Sequence, residues 1–270
     1  MTISFNRVDE NYYGIDEYVK PIVEVIVKHD IFIRVLCEIL NTFDTYSEHI
    51  VNDVKKVLEL NGEYQIKDMD QALKDDYALF SERVYNFYWV VVNEDFAVQL
   101  RRYDEELYYK RGLRYADKRL QRYRGILFEE VVSAMVESRF SESDFCTGCR
   151  IYINGVRVLA RYGEGDSSHK ETIDIAGWNN EVCYGEFYEC KINPKRFELQ
   201  NYKFFVAIKN ELDKNKGPHY VLALVSADAQ EHLKAQKEYI EECLSPAIDF
   251  EVIGREGIFN ILSYRIPEIA

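Results

Sequence analysis

Apolar positions recur at three- and four-residue steps through the first part of the chain. Between Asp16 and about Asp117, Val23, Ile26, Val27, Ile31, Val35, Leu36 and Ile39 open this pattern, the spacing of a helix that buries one face. A second helix is predicted from Thr45 to Leu60, where Asn61-Gly62 reads as a C-terminal stop. A third begins near Asp68 and carries Leu73, Tyr77, Phe80, Val84, Phe87 and Val91; Asn93-Glu94-Asp95 interrupts it before Phe96 to Tyr109 resumes the pattern. After Arg124 the texture changes. Gly125 to Phe140 predicts an amphipathic helix with Ile126, Leu127, Val131, Ala134 and Met135 inside. Strand-like runs follow at Arg150 to Ala160, Glu171 to Ala176 and Val182 to Lys191, the first two separated by a polar loop rich in Gly and Ser. Phe197 to Leu212 reads as helix. His219 to Ser226 is a nearly unbroken apolar run, as in a strand buried on both faces. Ala229 to Cys243 is helical again, and Phe250 to Ile253 with Glu256 to Leu262 gives a last short strand and helix. The order predicts an α/β fold: a C-terminal mixed β-sheet flanked by helices, preceded by an all-helical N-terminal region. The division is placed at 1–115 and 116–270, although no Pro/Gly linker marks it.

Composition narrows the class. A hydrophobic content of 47% and an aromatic content of 14% exclude general disorder. The richest apolar stretch, Ile22 to Leu40, is broken by Glu24, Lys28, His29, Asp30, Arg34 and Glu38, so no membrane span is expected. The N-terminal segment lacks a signal-peptide apolar core; a cytoplasmic protein with reduced thiols is expected. Cys146-Thr147-Gly148-Cys149 has zinc-ligand spacing and Cys183 could join it, but no second CxxC or His pair completes a set, and two ordinary cysteines in a turn is the plainer reading. A net charge of −13 argues against nonspecific coating of nucleic acid, yet leaves room for an enzyme that meets it through one local patch.

The strongest chemical signal lies in Thr172-Ile173-Asp174-Ile175-Ala176-Gly177-Trp178-Asn179-Asn180 and Gly185-Glu186-Phe187-Tyr188-Glu189-Cys190-Lys191. It places an Asp on one apolar strand and Glu-x-Lys at the end of the next. Alternate strand residues share a face, so Glu189 and Lys191 point one way and Cys190 the other. A hairpin turning at Asn179-Asn180 brings Asp174 beside Glu189. Two carboxylates about 4 Å apart repel by roughly 4 kcal/mol at an effective dielectric near 20, so such a cluster persists only if protonated, paired or occupied by cations. Hard oxygen ligands favour Mg²⁺ or Mn²⁺ over zinc.

This order of elements and acids resembles the PD-(D/E)xK nuclease superfamily, the restriction-endonuclease-like fold, over roughly residues 122 to 262. The resemblance assigns Asp174, Glu189 and Lys191 to the motif, with Ile173 in place of its nominal Pro. It implies a Glu from the preceding helix, matched by Glu129 in Gly125-Ile126-Leu127-Phe128-Glu129, and a Gln on the following helix, matched by Gln200. Asp174, Glu189, the Cys190 backbone carbonyl and Glu129 are then the expected ligands of Mg²⁺, with Mn²⁺ as substitute. Lys191 stabilises the transition state, and Gln200 steadies Lys191 or a phosphate oxygen. The implied activity is phosphodiester hydrolysis, of DNA rather than RNA, in a restriction, antiphage-defence or repair setting.

Between Leu100 and Gly125 basic residues outnumber acids, with tyrosines interleaved. Arg111, Arg114, Lys118, Arg119, Arg122 and Arg124 there, with His169 and Lys170 in the polar loop, are the candidate nucleic-acid contacts. The opposing reading, a solvated helix with tyrosines on the core and arginines paired to acids, carries equal weight. The helical region has no catalytic motif and suits helix packing or a homodimer surface; two copies would cut two strands. No Walker-type phosphate loop is present, so any ATPase or defence-system motor would be a separate chain. Two other readings stay open: a catalytically silent nuclease-fold module that binds nucleic acid or protein, and a helical interaction protein that binds no metal.

Overall fold

A computed structural model describes residues 1–8, 15–93, 113–161, 169–214, 219–243 and 248–266, the side chains of 113, 161 and 169 excepted. The chain divides into two compact units, Glu10–Val131 and Met1–Asp9 with Val132–Ala270.

The first unit is helical. It holds α1 (Asp16–Ile26), α2 (Asp30–Thr42), α3 (Ile50–Asn61), α4 (Gln71–Val92) and most of α5 (Leu113–Glu137). Each apolar stripe turns inward: Val19 and Ile22 of α1, Ile33 and Leu36 of α2, Val54 and Leu58 of α3, and Phe80, Val84 and Phe87 of α4 are all buried. Phe32 stacks on Phe80 with ring centroids 5.1 Å apart. Helix α3 ends at Asn61, where the stop is expected, but not through a left-handed glycine. Gly62 keeps right-handed helical angles, and the chain continues into a π-turn at Gly62–Ile66. A Cβ at Gly62 would lie 3.2 Å from the Tyr77 ring, so the glycine is used for close packing rather than as a terminator. Phe96 to Tyr109, expected to be helical, lies outside the described residues.

The second unit is a mixed seven-stranded sheet with helices. Its strands are β1 (Ile3–Arg7), β2 (Phe145–Ile153), β3 (Val156–Arg157), β6 (Thr172–Asn179), β7 (Tyr184–Lys191), β8 (His219–Ser226) and β9 (Glu251–Ile253). A separate ribbon pairs β4 (Ala160–Arg161) with β5 (His169–Lys170). The order is β1-β2-β6-β7-β8-β9, with β3 on β2. The pairs are antiparallel as far as β6–β7 and parallel from β7 to β9. The parallel step from β7 to β8 requires a crossover, which α6 (Leu199–Asp213) supplies. Helix α7 (Gln230–Glu242) makes the next one. Phe187, Leu222 and Leu224 share a core with Phe204, Phe205 and Ile208 of α6 and Leu233 of α7.

Three features depart from the sequence expectations. The division falls inside α5 and not at 115/116, and the N-terminal segment joins the sheet because β1 pairs with β2 from Ile3↔Ile153 to Arg7↔Cys149. Strand β2 starts at Phe145, so Cys146 and Cys149 lie within a strand and not in a turn; Gly148, at φ 53, bends its backbone. No helix among the described residues is long and apolar enough to cross a membrane.

Candidate active site

The β6–β7 hairpin pairs Ile175 with Tyr188 and Asn179 with Tyr184. One further step of that register sets Asp174 opposite Glu189. Their side chains therefore share a face, as does that of Lys191. The Lys191 ammonium bridges the two acids, 2.7 Å from Glu189 Oε1 and 3.1 Å from Asp174 Oδ2. It also donates to the Cys190 carbonyl at 3.0 Å, while the Cys190 amide donates to Asp174 Oδ2 at 2.7 Å. Asp174 and Lys191 are about one-fifth exposed and Glu189 is only 1% exposed, so the cluster opens to solvent at the Asp174 and Lys191 end.

Two residues outside the motif complete it. Lys170 on β5 donates to Glu189 Oε1 at 3.1 Å. The buried Asn201 amide of α6 donates to the same oxygen. Asn201 is held in turn by the helix terminus: its Oδ1 accepts from the Glu198 backbone N–H at 3.0 Å, and the Glu198 carboxylate accepts from the Asn201 backbone N–H. Gln200, expected to steady Lys191 or a phosphate oxygen, donates to Glu198 at 3.2 Å. Successive residues at a helix N-terminus face directions about 100° apart, so only one of the two amides can reach back to β7. A polar residue in the third helical position behind a Glu is the signal that could have singled out Asn201.

The opposite face of β7 carries a second buried acid that sequence reasoning passed over. Glu186 accepts from Arg139 Nε at 2.8 Å, Arg139 Nη2 at 2.5 Å, the Tyr184 hydroxyl at 3.0 Å and the Tyr188 hydroxyl at 2.6 Å. Burial, with the carboxylate beside them, pushes both tyrosines well above their ordinary range. This carboxylate is fully bonded and closed to solvent.

Glu189 is bonded quite differently. All its donors meet Oε1, whereas Oε2 is buried and has no hydrogen-bond partner among the described residues. A buried carboxylate oxygen left in that state is expensive unless a cation or donor reaches it. Asp174, Glu189 and the Cys190 carbonyl offer only hard oxygen atoms, a set that fits Mg²⁺ or Mn²⁺ if water and phosphate oxygens fill the remaining positions. Among the described residues no three His, Cys, Asp or Glu side chains converge as a ready-made metal site.

Glu129 lies on α5 in the helical unit and is half-buried. Of the proposed nucleic-acid contacts, Arg114 and Lys118 are exposed and Arg122 is half-buried. Arg119 and Arg124 are corrected to packing residues. They are buried, with Arg119 Nε donating to the Val91 carbonyl at 3.5 Å and Arg124 to the Leu40 carbonyl, so neither can contact phosphate without unfolding its surroundings. Arg111 and the His169 side chain lie outside the described residues. Comparison with known protein families and with curated proteins finds no match to this chain.

Proposed function

We propose that the chain is a divalent-cation-dependent nuclease of the restriction-endonuclease-like fold that hydrolyses phosphodiester bonds, of DNA in preference to RNA. One observation carries the reading: Asp174 and Glu189 meet on adjacent strands, bridged by Lys191, with a buried Glu189 oxygen left without a partner among the described residues. A structural ion cluster would satisfy every buried oxygen, as the Glu186 cluster does. The element order around the site supports the same reading: a helix, three antiparallel strands, a crossover helix and a parallel strand.

Asp174, Glu189 and the Cys190 carbonyl would hold the cation. The cation supplies positive charge beside the scissile phosphate and acidifies water there. Lys191 donates to the non-bridging oxygen that gains charge as the pentacovalent transition state forms, so its contribution is larger there than in the ground state. Asn201 fixes the Glu189 carboxylate through the α6 terminus, so the carboxylate need not reorganise during the reaction. Exposed Arg114 and Lys118, with half-buried Arg122, are the remaining described candidates on α5 for phosphate contact.

A second reading, a catalytically silent module that binds nucleic acid or protein, is favoured by the absence of a three-ligand cluster among the described residues. The test incubates supercoiled, linear and single-stranded DNA and RNA with the protein in Mg²⁺, Mn²⁺ or EDTA, beside Asp174→Ala and Lys191→Ala. Cleavage in Mg²⁺ that falls at least about 10²-fold in both variants is expected. Cleavage that survives both substitutions removes this site from the reaction; tight DNA binding with no cleavage of any substrate selects the silent module.

A further inference from the structure

We propose that Lys170 is a second phosphate-binding lysine: it holds Glu189 in the cation-free protein and passes to a phosphodiester oxygen once a divalent cation takes the carboxylate. The inference rests on the nuclease reading above. Lys170 is no part of the β6–β7 hairpin; it sits on the separate β4–β5 ribbon, with its side chain 15% exposed. Its ammonium lies 6.0 Å from the centroid of the Phe204 ring on α6, a contact that helps fix the position of the charge.

The distribution of donors on Glu189 shows which of them is dispensable. Lys191 at 2.7 Å, Lys170 at 3.1 Å and Asn201 all converge on Oε1, yet an oxygen of this kind offers about two lone-pair directions. The other oxygen, Oε2, remains buried without a partner among the described residues. Donors crowd one atom and leave its twin clear for a ligand. Lys191 is tied to Asp174 and the Cys190 carbonyl as well, and Asn201 is tied to the α6 terminus. Lys170 is the longer-range donor of the two ammonium groups and is carried on its own ribbon, so it is the one able to leave.

Formal charge gives that departure a purpose. Asp174 and Glu189 against Lys170 and Lys191 sum to zero. A bound divalent cation raises the sum to +2, a phosphodiester lowers it to +1, and the doubly charged pentacovalent transition state brings it to zero. Without Lys170 the same count is zero in the ground state and −1 in the transition state. The second lysine therefore matches the site to the transition state and not to the substrate.

The test uses the full-length protein as wild type, Lys170→Gln, Lys170→Arg and Asp174→Ala. Mn²⁺ affinity is measured by electron paramagnetic resonance without nucleic acid, and kcat and KM are measured on an oligonucleotide. Removing a competing ammonium should tighten Mn²⁺ binding by about tenfold in Lys170→Gln. kcat should fall by about 10²-fold with KM little changed, and Lys170→Arg should recover most of it. A residue that merely oriented Glu189 would weaken Mn²⁺ binding when removed. Unchanged or weaker Mn²⁺ binding in Lys170→Gln, or a retained kcat, overturns the role of Lys170 while the nuclease reading stands. A wild type that cuts nothing and binds Mn²⁺ no better than Asp174→Ala overturns both.

Discussion

Asn201→Asp tests the electrostatics of the site without relying on catalysis. The substitution keeps Oδ1, which accepts from the Glu198 amide at 3.0 Å, so the α6 terminus retains its cap. It replaces the amide that donates to Glu189 Oε1 with a second carboxylate against a side chain only 1% exposed. Two such charges near 4 Å repel by roughly 4 kcal/mol at an effective dielectric near 20, and Lys170 and Lys191 offset part of this. A net cost of about 2–4 kcal/mol follows, or about 4–16 °C in the melting of a unit of roughly 150 residues. A bound divalent cation turns the contribution of the new carboxylate from repulsive to attractive. At about 100 times its Kd it adds about 2.7 kcal/mol to a protein that binds it, and more where an extra carboxylate tightens binding. The assay is thermal melting in EDTA and in excess Ca²⁺, with Asn201→Leu as control, since Leu removes the same amide without adding an acid. In EDTA both variants should melt below wild type. In Ca²⁺ the Asp variant should recover more than half of its deficit and the Leu variant should not. If the deficit of Asn201→Asp is the same in Ca²⁺ as in EDTA, no cation binds beside Glu189, and the assignment of its buried oxygen as a ligand is refuted.

Two further predictions address the scaffold. Arg139→Met leaves the fully buried Glu186 without a countercharge, and breaking such a pair costs about 3–5 kcal/mol; adding Glu186→Leu should recover part of it, whereas a loss below about 1 kcal/mol in urea unfolding would contradict the buried pairing. Tyr77 donates to the Leu58 carbonyl at 2.7 Å, and burial pushes its hydroxyl up to about 12, above its ordinary value of 10.0. A raised folded value stabilises below the unfolded one and loses that stabilisation as pH climbs through the folded one. The gap between wild type and Tyr77→Phe should therefore shrink by about 2–3 kcal/mol between about pH 10 and 12, and parallel stability curves over that window would show the hydroxyl is not buried.

How much of this could be read from the chain depends on whether a residue's role is set locally. The strand-like run ending at Lys191 and the apolar run from His219 to Ser226 mark β7 and β8, because both strands are buried almost throughout and carry their apolar residues themselves. Strand β1 is invisible by the same rule: five residues with one buried position, Ile3, show no alternation until β2 pairs with them. The arginines of α5 illustrate the opposite error. Arg114 and Arg119 look equivalent in a basic run, yet helical rotation exposes the first and buries the second under α4, where its carbon stem packs and its guanidinium finds a carbonyl. Gln200 and Asn201 differ by one residue, and only the geometry of the α6 terminus decides between them.

The two buried acids of β7 are bonded in two different ways. Glu186 and Glu189 are three residues apart and so face opposite sides of the sheet. Glu186 has donors on both oxygens, and moving any of them exposes a buried charge, so it locks the strand against the residues around Arg139 and Ile261. Glu189 has an equally buried carboxylate but a lopsided donor set among the described residues, with one oxygen crowded and the other without a partner. A lopsided carboxylate is tolerable only where the strand beneath it cannot shift to relieve the strain. On the cation-binding reading, the Glu186 cluster would hold β7 in place beneath Glu189. Loosening the first should weaken divalent binding at the second, even though Arg139 never touches it.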